Sequence, residues 1–179
     1  NSLKLIQKYT SNDLVETIKK MYTLNGEAFF DEFRGSFSGL LYDKQKEKWI
    51  IYTNHFGDKT IFYMVLKDRI VFASEMGWLI HYMKSNNIDP IPDRAGAYFL
   101  LTYGYMLEDY TLVQQIKRLT AGTYMVVEDG NFKIKRYFEV DNTPDNFQTE
   151  EEIIENIDFL FKNAVKAEFE KDLEYGYSI

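Results

Sequence analysis

Four short apolar runs between residues 34 and 75 dominate the hydrophobic pattern of the chain. They read SFSGLLY, WIIYTNH, TIFYMVL and IVFAS, and the polar breaks DKQKEK, FGDK and KDR separate them. Each run is rich in β-branched and aromatic residues and has the length of a strand. The breaks have the length and composition of tight turns. The pattern therefore predicts an antiparallel meander of four strands.

The alternation within these runs is imperfect, so apolar residues fall on both faces of the predicted strands. Strands of this kind are usually covered on both sides, by a second sheet or by helices. We therefore expect the meander to lie inside a layered domain, and the pattern leaves open what covers each face.

The chain before the meander predicts three short elements. Residues 3–9, LKLIQKY, resemble a strand, and residues 11–26 have helical periodicity ending at Asn25-Gly26. Asp13 or its neighbours can cap that helix, with Glu16 in capping-box position. The stretch EAFFDEF at 27–33 predicts a second short helix.

The chain after the meander alternates helices with a β-rich stretch. Helices are predicted in MGWLIHYMKSNN and from Pro92 or Asp93 onward, and Asp129-Gly130 predicts a hairpin between YMVVE and FKIKRYF. Residues 141–148 have linker composition. Thr149 with Glu152 predicts a capped amphipathic helix, and the final YGYSI has the pattern of an incipient strand.

Composition narrows the class of partner. The chain has 179 residues, 45% of them hydrophobic, with a net charge of −7 and a pI near 4.9. This acidic balance argues against nucleic acid, which needs clustered Lys and Arg. No apolar stretch reaches the length of a membrane span and no signal peptide is visible, so the cytoplasm is the expected compartment. The sequence contains no cysteine, which excludes disulfides and thiolate chemistry from these residues.

Few residues stand out as candidates for chemistry. His55 and His81 fall in different predicted elements with no third ligand at metal spacing, so we expect structural or solvated roles and no metal site. Ser36 has no histidine nearby in sequence, and no glycine loop or nucleophile elbow is present. Residue chemistry alone therefore indicates only an α+β domain.

Five phrases, taken together, resemble the asparagine synthetase family of glutamine-dependent enzymes, which carry a class II amidotransferase domain. They cover nearly the whole chain, in the family's order and at about its spacing. The phrases are FRGSFSGLLYD, TNHFGDKTIFY, FASE, LTYGYMLEDYTLVQQIKRLTAGTY and RYF. The final YGYSI is similar to the strand that leads into the family's pyrophosphatase loop.

The resemblance implies an α+β fold, part of the four-layer αββα sandwich of N-terminal-nucleophile hydrolases with mainly antiparallel strands. In such a sandwich, one face of the meander should pack on a second sheet and the other on helices such as 11–24 and 76–86. It implies that residues 1–142 are the C-terminal part of a glutamine amidotransferase domain and that 149–179 begin an ATP-dependent synthetase domain. In the family, an N-terminal cysteine releases ammonia from glutamine, and a second domain uses ATP and magnesium to activate an acidic acceptor. A homodimer is also plausible for the family.

Departures from the family pattern limit what these residues can do. The nucleophilic cysteine, the oxyanion-hole motif and the pyrophosphatase loop are missing, so no catalytic residue is expected, and ATP and magnesium are implied only for a longer parent protein. Asp13, in SNDLVE, is the best counterpart of the family aspartate that grips the α-amino group of glutamine, although one residue is inserted there. It is an equally good helix N-cap. Thr53-Asn54 replaces the usual Arg-Asp, with a structural consequence expected.

Three functional hypotheses follow. In the first, the chain is a portion of an asparagine synthetase-like amidotransferase, inactive by itself and lacking the first strands of its second sheet. In the second, it is a non-catalytic binding or assembly module that keeps the family fold. In the third, the parent aminates a sugar carboxylate in a surface-glycan pathway instead of aspartate.

Overall fold

The computed structural model describes residues 2–143 and 149–168. Its helices are α1 (Ser2–Lys8), α2 (Leu14–Asn25), α3 (Met76–Ser85), α4 (Arg94–Tyr103) and α5 (Glu150–Glu168), with a 3-10 helix at Gly26–Ala28. Its strands are β1 (Ser38–Asp43), β2 (Lys48–Thr53), β3 (Phe62–Val65), β4 (Ile70–Ala73), β5 (Lys117–Arg118), β6 (Thr123–Glu128) and β7 (Asn131–Arg136). The chain divides into two compact units, Asn1–Glu139 and Val140–Ile179.

The predicted four-strand meander is wrong, because its two halves belong to different sheets. The first sheet has the order β1-β2-β6-β7 and the second has the order β4-β3-β5, with every pair antiparallel. The strand after β2 in space is β6, with Ile50 opposite Val126, rather than β3. Each run does form a strand, but residues 54–61 carry the chain from one sheet to the other.

A shared apolar cluster shows that the two sheets face each other. Ile51 of β2 and Met125 of β6 pack in one cluster with Tyr63 of β3, and all three are buried. Since successive side chains of a strand point to opposite faces, the neighbours of these residues face outward, away from the other sheet. The predicted cover of one face by a second sheet is therefore present.

Helices cover the outward faces. On the first sheet, Ile50 and Tyr52 pack against α1, α2 and the segment after the 3-10 helix, where Phe29 and Phe30 are fully buried. On the second sheet, Met64 of β3 packs against Leu79 and Met83 of α3 and against Ile116. The layers are therefore helix, sheet, sheet and helix, as the predicted αββα sandwich requires.

One prediction for the N-terminal region is wrong, and a second is confirmed only in part. Residues 2–8 form a helix rather than a strand, because Leu5 and Tyr9, one helical turn apart, both pack in the core beside the first sheet. The stretch EAFFDEF is not an α-helix. It continues the 3-10 helix as i→i+3 turns, in which the Asp31 N–H donates to the Ala28 carbonyl and the Phe33 N–H to the Phe30 carbonyl.

The predicted caps and the predicted hairpin are confirmed. The Asp13 carboxylate accepts from the Glu16 N–H at the start of α2 (2.7 Å). Asp129 and Gly130 both have positive φ, as a two-residue type I′ turn requires, and they join β6 to β7. Thr149 and Glu152 exchange the two hydrogen bonds of a capping box at α5.

Part of the first sheet's inner face is open. Leu41 packs toward the helices, so Leu40 and Tyr42 point to the side of the second sheet, where they are 50% and 42% exposed. Tyr42 stacks on Trp49 with ring centroids 4.5 Å apart. The high aromatic content thus includes an exposed patch beside β1, an edge strand among the described residues.

The predicted strand at YGYSI lies outside the described residues. No helix in the described ranges combines the length and hydropathy needed to cross a membrane.

Candidate functional site

A cleft of about 790 Å³ opens where the chain leaves β2 for the second sheet. Three segments form its walls: the stretch before β1, the turn after β2, and the two residues that follow β7. The lining residues are Asp31, Arg34, Gly35, Ser36, Asn54, His55, Phe56, Asp58, Tyr137 and Phe138.

The turn after β2 is fixed by its main chain. The Asn54 carbonyl accepts from the Gly57 N–H (3.2 Å) and from the Gly122 N–H (3.0 Å), which joins the turn to the loop before β6. Gly57 has a φ of +68°, and a side chain there would press on the backbone of Ala121. The sequence Phe-Gly at 56–57 therefore permits a close approach of two loops.

The residues after β7 are held against the same loop. The Gly122 carbonyl accepts from the N–H groups of Tyr137 (2.8 Å) and Phe138 (3.2 Å), and the Tyr137 hydroxyl donates to the Thr53 carbonyl (2.7 Å). Gly122 has a φ of +63°, and a Cβ there would collide with the Phe138 carbonyl. Burial raises the pKa of Tyr137 to about 12, so the hydroxyl keeps its proton and stays a donor.

Asn54 is a buried polar residue in the wall of this cleft. It is 3% exposed, and its Nδ2 donates to the Gly35 carbonyl (3.4 Å) and also interacts with Asp58. Both neighbours are acceptors, so a flipped amide would set oxygen against oxygen. In this orientation, Oδ1 has no hydrogen-bond donor among the described residues. An orphaned buried acceptor is uncommon and calls for a physical explanation.

Asp31 and Arg34 lie one turn apart in the cleft. Nη1 of Arg34 donates to the Asp31 and Phe33 carbonyls, both at 2.7 Å, which anchors one side of the guanidinium. Partial desolvation raises the pKa of the Asp31 carboxyl, although the residue is exposed by surface area. The charge of His55 in its protonated form and the charge of Arg34 oppose that rise. Within the described part of the chain, the two side chains do not come within the 4.0 Å of an ion pair.

His55 packs among aromatic rings in the cleft. Its ring lies edge-on to Phe138 (4.7 Å), Tyr137 (5.4 Å) and Phe37 (5.8 Å). Burial lowers its pKa, and the charge of Arg34 lowers it further, so the imidazole is neutral at pH 7. Ser36 forms a short hydrogen bond with Asp58 rather than with His55, so the cleft holds no serine–histidine pair.

Two residues that the sequence analysis discussed, Asp13 and His81, lie outside the cleft. Asp13 caps α2 and is not among the residues lining the cleft, and His81 is exposed on α3. No group of three His, Cys, Asp or Glu side chains within residues 2–143 and 149–168 is arranged to hold a metal ion. Sequence reasoning missed Asp31 and Arg34 as cleft residues. One signal in the sequence could have indicated the cleft: the polar residue Asn54 directly follows a strand whose last residues are buried.

Comparison with known proteins defines the class to which this site belongs. The profile of the glutamine amidotransferase domain family matches residues 2–138. The chain therefore belongs to the glutamine amidotransferase domain family, of the class II type found in asparagine synthetase-like proteins. A solved glutamine phosphoribosylpyrophosphate amidotransferase from Bacillus subtilis shares the fold (TM-score 0.51, 13% identity), covering 79% of this chain and 28% of its own. This likeness confirms the predicted α+β sandwich fold.

Individual proteins show which members of the class are similar in sequence to this chain. Asparagine synthetase [glutamine-hydrolyzing] 1 of Bacillus subtilis is 23% identical over 94% of this chain and 26% of its own length. Asparagine synthetase [glutamine-hydrolyzing] 2 of the same organism is 39% identical over 34% of this chain and 8% of its own. Amidase chry2 of Gibberella zeae is 19% identical over 93% of this chain and 24% of its own. The chain spans about a quarter of the relatives that it matches along most of its length.

Proposed function

We propose that this chain forms the structural part of a glutamine-hydrolysing domain in an asparagine synthetase-like amidotransferase. One observation carries the proposal: the family profile covers residues 2–138, the same stretch that builds the four layers. In the whole protein, ammonia released from glutamine would be passed to an ATP-activated carboxylate such as that of aspartate. The cytoplasm is the proposed compartment.

The proposal divides the chemistry between these residues and others. The 179 residues contain no cysteine, so a thiol nucleophile would come from outside them. ATP, magnesium and the acidic acceptor are likewise assigned to residues beyond this chain. Residues 1–142 would complete the amidotransferase domain, and 149–179 would begin the synthetase domain.

Asp13 is the proposed contact for the α-ammonium group of glutamine. One carboxylate oxygen already accepts from the Glu16 N–H (2.7 Å), so the second would have to serve the substrate. Asn caps a helix as well as Asp does, whereas Ala lowers stability by about 1 kcal/mol. In the complete polypeptide, Asp13→Asn should keep the melting temperature and raise KM for glutamine by about tenfold through loss of the charge. An unchanged KM would remove Asp13 from the site.

Ammonia release tests the proposed function. The isolated 179-residue chain should release no ammonia from L-glutamine, whereas the product of the complete reading frame should release it and lose that activity after thiol alkylation. The matched control is the same alkylation of the isolated chain, which has no thiol to modify. Ammonia release by the isolated chain, or none by the complete product, would contradict the proposal.

A further inference from the structure

Helix α4 carries a stripe of exposed side chains on the side opposite to its packing contacts. Gly96 is buried, so close to the Thr111 carbonyl that a Cβ there would collide with it. Phe99 packs edge-on to Tyr110, with ring centroids 5.0 Å apart. Successive residues of a helix point about 100° apart. The opposite side, here called the α4 stripe, is therefore formed by Arg94, Tyr98, Leu101 and, just past the helix end, Tyr105.

The α4 stripe is more apolar and more exposed than a surface helix requires. Tyr98, Leu101 and Tyr105 are 61%, 87% and 60% exposed. Yet the helix has the composition of a buried one, with Arg94 as its only charged side chain. A contiguous exposed patch of this kind marks an interaction site, and tyrosine is enriched at such sites. Ring contacts with centroids 6.1 to 6.4 Å apart connect Tyr98, Phe99, Tyr103 and Tyr105.

The loop after α4 places Glu108 near the C-terminal end of the helix. The Leu112 carbonyl accepts from the Asp93 N–H at the helix start (2.9 Å), whereas Tyr110 packs on Phe99 beyond its middle. The chain after the loop therefore returns antiparallel to α4. Glu108 comes two residues before Tyr110, so it lies toward the end of the helix opposite to its start.

The two ends of the α4 stripe thus carry opposite charges. Arg94 and Glu108 are both exposed, and neither takes part in an ion pair within residues 2–143 and 149–168. A second α4 laid antiparallel would set each arginine beside the glutamate of the other copy. A parallel copy would set like charges together, which is unfavourable. Tyr98 and Leu101 lie on either side of the midpoint, so the antiparallel arrangement also matches their positions.

We propose that the α4 stripe is a homodimer interface, in which α4 packs antiparallel on α4 of a second copy of this chain. Tyr98 of each chain would pack on Leu101 of the other about a twofold axis, and Arg94 would pair with Glu108. Such an isologous contact uses the same patch on both copies. A specific interface needs about 500 Å² from each partner, and the α4 stripe with its rim exposes an area of that order. The interface does not depend on the proposed function.

Sedimentation equilibrium of the full 179-residue chain tests the dimer. Between about 1 and 200 μM, the chain should show a monomer–dimer equilibrium with a dissociation constant below about 100 μM. Leu101→Glu sets a charge against the apolar surface of the other copy, so it should weaken the dimer at least about thirtyfold. The matched control is Leu24→Glu, the same change at a leucine that is 71% exposed on α2. It should leave the dissociation constant within about twofold.

A charge exchange tests the antiparallel direction. Arg94→Glu and Glu108→Arg each bring like charges together twice in the dimer, so each should weaken it by about tenfold. The double variant restores opposite charges and should return to within about threefold of the wild type. A general loss of structure would not be reversed by the second change. Melting curves identify a variant that fails to fold, and if Leu101→Glu does so, the charge exchange decides.

Several results would overturn the interface. These are a monomer at every concentration, an equal loss in Leu24→Glu, or no recovery in the double variant. A dimer broken by Ile157→Glu, at an exposed position of α5, but not by Leu101→Glu would place the contact on α5 instead. In the complete polypeptide, a Leu101→Glu change that lowers stability and leaves the oligomeric state unchanged would show that α4 is covered within one polypeptide. None of these results bears on ammonia release, so the proposed function stands or fails separately.

Discussion

Two hairpins of the chain, β1–β2 and β3–β4, have similar hydrophobic patterns but occupy different sheets. Both are short, apolar and antiparallel, and both have helices on their outward face. The first pairs onward with β6 and the second with β5, in separate sheets. Residues 44–47 and 66–69 are tight turns within a sheet, whereas residues 54–61 cross between sheets.

This difference explains where the cleft lies. After a turn within a sheet, the next strand pairs with its neighbour, so the backbone N–H and C=O groups find hydrogen-bond partners in the sheet. A crossing leaves the ladder, so its polar groups need other partners, and Asn54 takes them from the loops at 122 and 35. The hairpins supply packing, and the crossing between them gathers the polar groups of the candidate site.

The largest expected effect comes from removing the core under either hairpin. Phe30 packs on Tyr52 of β2 and is fully buried, so Phe30→Ala should lower the free energy of unfolding by about 3–5 kcal/mol. Met83→Ala, under β3, should cost about 2–5 kcal/mol. Urea unfolding should show one transition in both variants, because the sheets share the cluster at Ile51 and Tyr63.

Phe56→Ala is the control for these core variants. The side chain of Phe56 is 75% exposed at the crossing, so the change should stay within about 0.5 kcal/mol of the wild type. Two separate transitions, each moved by only one of the core variants, would show that the hairpins fold independently.

A smaller loss of stability is expected when a side chain is added at Gly122, in the loop that contacts the crossing. Gly122→Ala forces a side chain into left-handed backbone and against the Phe138 carbonyl, so it should destabilise by about 1–3 kcal/mol. Gly104 also has positive φ, +77°, but open space around it, so Gly104→Ala isolates the backbone cost. Equal losses of stability, measured by thermal unfolding, would show that the contact with residue 138 is unimportant.

The smallest effect concerns an ion network that joins the first hairpin to the 3-10 helix and to β7. Glu27 bonds Lys135 and Lys48 (3.1 Å), and these bonds lower its pKa from the ordinary 4.5. A lowered folded-state pKa gives stability that is present above the ordinary pKa and is lost as the pH falls through the lowered value. Glu27→Gln should therefore cost about 1 kcal/mol at pH 7, and the gap from the wild type should shrink as the pH falls below 4.5 through the lowered pKa.

Glu128→Gln serves as the comparison for the ion network. Glu128 is more exposed and reaches only Lys48 among the described residues (3.4 Å), so its replacement should cost less than that of Glu27. A gap between Glu27→Gln and the wild type that stays constant with pH would rule out an electrostatic origin.

Local chemistry predicted much of the fold. Asp13, Thr149 with Glu152, and Asp129-Gly130 act through bonds to residues at most a few positions away, so their caps and turn could be read from the sequence. Residues 3–9 could not, because a seven-residue apolar pattern fits a strand or a helix until the core selects one face. The pairing of β2 with β6 joins residues far apart in the chain, and no local pattern encodes it.

The candidate cleft was hidden from sequence for the same reason. Asp31 and Arg34 come from the segment before β1, Asn54 from the crossing, and Phe138 from the residues that follow β7. Only the folded chain brings these three segments together. The segment TNHFGDK, which matches a family phrase, contains the start of the crossing. Because Thr53-Asn54 replaces the family's Arg-Asp there, the sequence predicts only a structural role for Asn54.

Cross-strand contacts measured by NMR test the two-sheet arrangement most directly. We predict backbone proton contacts between Ile50 and Val126 and between Tyr63 and Lys117, which are paired residues of β2–β6 and β3–β5. Ile51 and Tyr63 should show side-chain contacts only, across the interior between the sheets. A ladder of backbone contacts between residues 48–53 and 62–65 would contradict the account, because it would make the two hairpins one continuous meander.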